Sequence, residues 1–103
     1  MAGTRSSDAL LTGELAPIRA EIARRHDESI ARLQHWVRNP SIAAEDRAMD
    51  EGCDLMMRMA REAGFQKAQR VDTDGHPAVL ATLDAGAPRT FGLYFMYDVK
   101  QAD

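Results

Sequence analysis

The sequence has little cysteine, no long apolar run and no block of basic residues. The single cysteine, Cys53, excludes an internal disulfide and is typical of a reducing compartment. The first eight residues are small and polar, so they lack the apolar core of a secretory signal. No apolar run approaches the ~18 residues that are needed to span a bilayer. We therefore expect a soluble, cytoplasmic protein without a membrane partner.

The sequence also has no large excess of positive or negative charge. The formal net charge is −3, and lysine and arginine form no cluster, so nothing indicates binding to nucleic acid. The chain has 103 residues, of which 45% are hydrophobic and 28% are charged. This length and composition predict one small globular domain rather than a disordered chain.

The first half of the chain predicts helices. Residues 1–16 are predicted to be a flexible lead-in, and Pro17 suits the first turn of a helix that ends before Pro40. A second helix is predicted from about residue 45 to residue 63, with Gly64 as its C-cap. Apolar residues recur at helical spacing along the first helix and form one stripe: Ile18, Ile22, Ile30, Leu33 and Val37.

The second half predicts strands. Residues 65–71 read as a weak edge strand and residues 78–83 as a second strand. The run that begins at Thr90 and ends at Val99 has no polar alternation, which is typical of a strand buried on both faces. We expect its missing neighbour to belong to a part of the sheet outside this sequence. The predicted fold class is α/β, with two N-terminal helices packed on a three-stranded part of a larger sheet.

Three stretches resemble the N-terminal end of one enzyme family. Trp-Val-Arg-Asn-Pro-Ser-Ile at 36–42 is similar to its motif after the first long helix, and Glu-Ala-Gly-Phe at 62–65 to its next helix end. Gly-Leu-Tyr-Phe-Met-Tyr-Asp-Val-Lys-Gln at 92–101 resembles its "lllyGHyDVqp" motif. The family is that of the zinc-dependent aminoacylases and exopeptidases, which includes acetylornithine deacetylase, succinyl-diaminopimelate desuccinylase and carnosine dipeptidases. The resemblance implies that residues 17–103 are the N-terminal part of a metallohydrolase-like catalytic domain.

The resemblance also implies a function and a cofactor. Members are zinc hydrolases that cleave amide bonds of small peptides or N-acyl amino acids. The zinc-binding histidine of the family is replaced here by Met96, whose thioether suits zinc poorly, so we expect Met96 to pack as core. Asp98 occupies the position of the aspartate that orients this histidine. The alternative interpretation is that Asp98 is an ordinary solvated residue at the end of the strand. Since the other ligands and the base lie downstream in the family, we expect this chain alone to be inactive and to bind no zinc.

The three histidines have simpler interpretations than metal binding. His26 falls on the apolar stripe and is predicted to be a hydrogen-bonded residue at the edge of the core. His35 is predicted to be exposed. His76 follows the turn signal at Asp74, and a metal site made of these two residues is the alternative to turn chemistry.

The second helix carries two further candidates. Cys53 lies on its apolar face, so an inert buried thiol is predicted rather than a nucleophile. A group of methionines is predicted to be helix core, with an adaptable binding groove as the alternative: Met49, Met56, Met57 and Met59.

Two other classes of function remain open. One is a degenerate family member that binds a partner or ligand without catalysis, which Met96 favours. The other is a small, unrelated α/β interaction domain. In the family the partner is a small peptide or an N-acyl amino acid, and the unpaired apolar edge of residues 90–99 predicts self-association. Alternation along that strand predicts that Met96 and Asp98 point to one side and Tyr97 to the other.

Overall fold

A computed structural model describes residues 13–101, so most of the predicted lead-in lies outside the described residues. The chain forms two compact units, one extending to His35 and the other beginning at Trp36. In chain order the elements are the helices α1 (Ala16–Arg24) and α2 (His26–Arg38), a 3-10 helix (Ala43–Glu45), the helix α3 (Met49–Glu62) and the strands β1 (Lys67–Val71) and β2 (Ala78–Thr82).

A break at Arg25 divides the first predicted helix into α1 and α2. Arg25 has φ −93° and ψ 14°, outside the helical range, and its N–H closes the last turn of α1 on the carbonyl of Glu21. Pro17 lies in the first turn of α1 and α2 ends at Arg38, as predicted. The Glu21 carboxylate accepts hydrogen bonds from Arg24 and Arg25, each 2.6 Å at its shortest. These bonds, that of Arg24 first, lower the pKa of Glu21 to about 2.

The apolar stripe of α1 and α2 lies at the surface of the described structure. His26 is also exposed, so it does not lie at the edge of a core as predicted, and His35 is exposed as predicted. The side chains of the stripe are all between 43% and 65% exposed: Ile18, Ile22, Ile30, Leu33 and Val37.

A tight loop delays the start of α3 to Met49. Ile42 and Arg47 exchange backbone hydrogen bonds of 2.9 and 3.1 Å across this loop. Asp46 and Ala48 have φ values of 50° and 51°, in the left-handed region. Because an α-helix cannot continue through such residues, the predicted start near residue 45 is four residues early.

The end of α3 agrees with the sequence. Gly64 has φ 107° and its N–H donates to the carbonyl of Arg61, while the Phe65 N–H donates to the carbonyl of Ala60. This pair of bonds is the Schellman motif, for which glycine is favoured because it has no Cβ. The prediction that Gly64 caps the helix is confirmed.

The core lies where α3 packs on one face of the β1–β2 hairpin. The strands are antiparallel, with Lys67 opposite Thr82 and Val71 opposite Ala78. Arg61 donates from Nη2 to the carbonyl of Ala68 at 2.6 Å, which ties the end of α3 to β1. The buried side of this unit comes from both elements: Met49, Gly52, Cys53 and Leu55 of α3, and Ala68 of β1.

The prediction of a third strand is wrong. Residues 90–101 contain no helix or strand, and the sheet of the described residues has two strands, β1 and β2. A strand forms only where its backbone N–H and C=O groups pair with a neighbour. An apolar run predicts burial but supplies no such neighbour. The described residues therefore form a small α/β fold of three α-helices and one hairpin, not a three-stranded part of a sheet.

Within residues 13–101, no helix combines the length and the apolar character needed to cross a membrane.

Candidate functional site

Two distant stretches of the chain meet at the backbone of Tyr97. Its carbonyl oxygen accepts a hydrogen bond from Trp36 Nε1 at 2.9 Å and one from Ser41 Oγ at 3.3 Å. The Val99 N–H donates to the carbonyl of Ser41 at 2.7 Å. We call these four residues the Tyr97 junction. Two of the three stretches that carry the resemblance to zinc hydrolases are thus in direct contact.

The side chain of Tyr97 reaches both α3 and the start of β2. Its hydroxyl donates to the carbonyl of Pro77 at 2.7 Å and lies 3.4 Å from the carbonyl of Met49. Burial raises the pKa of Tyr97. Gly52 lies beneath the ring, where a Cβ would stand 3.2 Å from Tyr97 Cε2. A glycine at this position therefore allows the ring to approach α3 closely.

Met96 and Asp98 lie beside the junction and line the same shallow cleft, which has a volume of about 350 Å³. Tyr97 does not line it, but Val99, Lys100 and Gln101 do, so the lining does not follow the alternation that was predicted for a strand. Met96 is 70% exposed, and its predicted packing as core is wrong. Asp98 is exposed and makes no hydrogen bond or ion pair within the described residues.

The cleft offers few groups for chemistry. Of the described residues that line it, Asp98 and Lys100 are the ones with titratable side chains, and the others include Ile42 and Val99. Gln101 donates from Nε2 to Glu45 Oε1 at 3.1 Å, which connects the end of the described chain to the 3-10 helix. One carboxylate and one ammonium group can bind a small polar ligand, but they supply no nucleophile with an adjacent base.

The described residues do not fit a zinc site. Among them, no group of three or more His, Cys, Asp or Glu side chains is arranged to hold a metal ion. Zinc takes imidazole, thiolate or carboxylate ligands, and a structural or catalytic site needs at least three from the protein. Near the cleft, Met96 brings a thioether and Asp98 a single carboxylate.

His76 belongs to the connection between the strands. Its Nδ1 lies 3.5 Å from a carboxylate oxygen of Asp46, and its Nε2 lies 3.3 Å from the carbonyl of Ala43. Thr73 accepts from the Gly75 N–H and donates to the carbonyl of His76, so the predicted turn is present. These contacts tie the turn to the loop before α3.

Cys53 is 0% exposed, and its Sγ lies 3.9 Å from the carbonyl of Ala78. Burial raises the pKa of this thiol, so the thiolate that a nucleophile requires is disfavoured. The prediction of a buried thiol is confirmed. Of the methionines, Met49 is buried, whereas Met56, Met57 and Met59 are partly exposed.

Sequence reasoning missed the link that Arg70 makes between β1 and α3. Its guanidinium lies 2.9 Å from Asp50 and 2.8 Å from Asp72, and these carboxylates, that of Asp72 first, raise the pKa of Arg70. Sequence reasoning also gave no role to Ser41 or Gly52. The available signal was the glycine itself, because glycine inside a helix is unfavourable and often marks a close approach of two segments.

Comparisons of the chain with models of protein families, with curated proteins and with solved structures gave no match. The likeness to zinc-dependent aminoacylases and exopeptidases rests on the stretches at 36–42, 62–65 and 92–101.

Proposed function

We propose that this chain supplies the N-terminal part of a zinc-dependent hydrolase that cleaves amide bonds of small peptides or N-acyl amino acids. The observation that carries the proposal is the contact of Ser41 with Tyr97 and Val99, across 56 residues in the case of the Ser41 Oγ bond. Both stretches resemble the same family, and a shared fold gives a reason for them to meet. A chance likeness gives none.

In this proposal the chain alone has no hydrolytic activity. Its described residues lack a zinc donor set, and the metal ligands and the base are assigned to other parts of a longer protein. Asp98 lies exposed beside the cleft, where it can orient a ligand supplied from elsewhere. We also propose a cytoplasmic location, which the single cysteine favours.

A binding protein without catalysis is the second candidate. Met96 stands where the family has its zinc-binding histidine, and it is 70% exposed at the cleft rather than packed away. A thioether at that position reduces zinc affinity but leaves an adaptable apolar contact for a ligand or partner. The coding frame distinguishes the two candidates. Histidines and carboxylates at family positions beyond Asp103 support the hydrolase, and their absence there supports the binding protein.

Zinc titration tests the placement of the motif. In the 103-residue chain, neither the wild type nor Met96→His should bind one zinc tightly or cleave an amide substrate, because the other ligands are missing. In a longer protein that carries them, Met96→His should raise zinc affinity by about tenfold or more, since a ligand joins a site whose orienting aspartate is present. Met57→His is the matched control and should change nothing. Amidase activity in the short variant, or unchanged zinc affinity in the long one, contradicts the placement.

A further inference from the structure

The methionines of the described residues differ widely in their exposure to solvent. Met96 is 70% exposed, whereas Met49 is 8% exposed and belongs to the core between α3 and the hairpin. The remaining methionines of residues 13–101 lie on α3 and are partly exposed: Met56, Met57 and Met59. Met96 therefore presents the most accessible thioether in the part of the chain that the structure describes.

The thiol of Cys53 does not compete with this thioether for an oxidant. Cys53 is 0% exposed, and burial raises the pKa of its thiol. Peroxides oxidise a cysteine as the thiolate and only where the sulfur is accessible, so both requirements fail at this position. A thioether needs no deprotonation before it is oxidised, and the sulfur of Met96 lies in an exposed side chain.

The position of Met96 gives its oxidation a structural consequence. The next residue, Tyr97, is bonded in the junction, and Met96 lines the cleft together with the apolar side chains of Ile42 and Val99. A sulfoxide is polar, and its oxygen accepts hydrogen bonds. Because Met96 is not one of the buried residues of the core, its oxidation changes the cleft and leaves the packing of α3 on the hairpin intact.

We infer that Met96 is a site of reversible oxidation by hydrogen peroxide, and that its sulfoxide makes an apolar wall of the cleft polar. The sulfur attacks one peroxide oxygen, the O–O bond breaks, and the second oxygen leaves as water after it takes the proton of the first. The sulfur loses two electrons, which reduce the peroxide. Methionine sulfoxide reductases restore the thioether. The inference does not depend on zinc or on amide hydrolysis, so it stands if the proposed function fails.

Peptide mass spectrometry after timed exposure to hydrogen peroxide tests the selectivity. In the folded protein, Met96 should be oxidised before the other methionines of the described residues. Met49 should react at least about tenfold more slowly, because its sulfur becomes accessible only when α3 opens locally. Cys53 should remain a free thiol. In denaturant the methionines should react at similar rates, which would show that the fold and not the neighbouring sequence selects Met96.

Methyl NMR spectra of the same samples test the consequence for the cleft. Oxidation should shift the methyl signals of Ile42 and Val99, whereas those of Leu55, which is buried in the core, should not move. The midpoint of urea unfolding should also be unchanged. Sulfoxide reductases for the two epimers, added to the folded oxidised protein, should restore the starting spectrum.

Two variants assign these effects to one sulfur. Met96→Leu keeps an apolar side chain in the cleft, and peroxide should no longer shift the signals of Ile42 and Val99. Met57→Leu is the matched control and should leave the oxidation of Met96 as it is in the wild type. The inference is overturned if a methionine of α3 reacts as fast as Met96 in the folded protein. It is also overturned if the cleft signals do not shift in the wild type, or if they shift equally in Met96→Leu.

Discussion

Gly52 and Ser41 are packed so closely that a Cβ at position 52 would stand 2.6 Å from Ser41 Cβ and 2.9 Å from Ser41 Oγ. Ser41 is 1% exposed, and its hydroxyl and carbonyl both bond to the segment that contains Tyr97 and Val99. The serine therefore cannot move aside without loosening the junction. The glycine sets the distance between the loop and α3.

Gly52→Ala should lower the free energy of unfolding by about 1–3 kcal/mol, measured by urea denaturation, because the added methyl overpacks a buried contact. The sign of this change in stability is informative. In a helix alanine is more favourable than glycine by about 1 kcal/mol, so without the close contact the substitution would stabilise α3.

Ser41→Gly in the same chain supplies the control for this substitution. It removes the atoms that the new methyl meets, so part of the loss should be recovered in the double variant. Glu51→Ala, at the exposed neighbouring position, should change stability by no more than about 0.5 kcal/mol. A Gly52→Ala protein as stable as the wild type would show that the contact is looser than the structure has it.

Tyr97→Phe should cost about 1–2 kcal/mol of folding free energy, because the carbonyl of Pro77, a buried residue, loses its hydrogen-bond donor. Tyr94→Phe is the matched control, since Tyr94 is 86% exposed and has no hydrogen bond within the described residues. Its stability should stay near that of the wild type. Equal losses in the two variants would remove the role assigned to the Tyr97 hydroxyl.

The Tyr94→Phe variant also isolates the titration of Tyr97, because the chain has two tyrosines. The absorbance of the phenolate should report a pKa above the ordinary value of 10.0, since burial disfavours the charged form. A raised pKa means that the contribution of Tyr97 to stability is complete below pH 10 and is lost as pH rises through the folded-state value. A pKa at or below 10 would contradict the burial.

Glu21 should titrate at about pH 2 in an NMR experiment that follows its carboxyl carbon, because Arg24 and Arg25 both hydrogen-bond to it. Its ordinary value is 4.5, so its contribution to α1 is present above that pH and is lost as pH falls toward 2. Arg24→Gln should move the pKa back toward 4.5. Arg19→Gln, which removes a charge of α1 that does not pair with Glu21, should not. A wild-type value near 4.5 would mean that the pairs do not persist in solution.

The parts of the fold that follow from local chemistry were predicted from the sequence. Pro17 in the first turn of α1, Gly64 at the end of α3 and the two strands of the hairpin each have residue types that favour one backbone geometry. The breaks at Arg25 and Ala48 have no such signal. Arginine and alanine favour helices, so propensity predicts neither position.

The candidate site was predicted only in part. Met96 and Asp98 line one cleft, but strand alternation does not explain this, because the segment is not a strand and Val99 lines the cleft as well. The exposure of Met96 was not predicted either, because an apolar run shows that a segment can be buried but not whether a neighbour is present. The hydrogen bonds of Tyr97 could not be predicted from the sequence either. Its hydroxyl donates to a backbone carbonyl 20 residues away, and no sequence pattern distinguishes that carbonyl from any other.

The Tyr97 junction has a kinetic consequence. Its bonds close loops of 61 residues to Trp36 and 56 residues to Ser41, whereas Cys53 meets the carbonyl of Ala78 across 25. Since the entropy lost on closing a loop grows with its length, the helix and hairpin can assemble before the last residues dock. Until docking occurs, the segment after β2 has not yet packed against the rest of the fold. Contacts between partly folded chains therefore compete with docking. Slow dilution from denaturant, which keeps the concentration of these chains low, should favour correct refolding over aggregation.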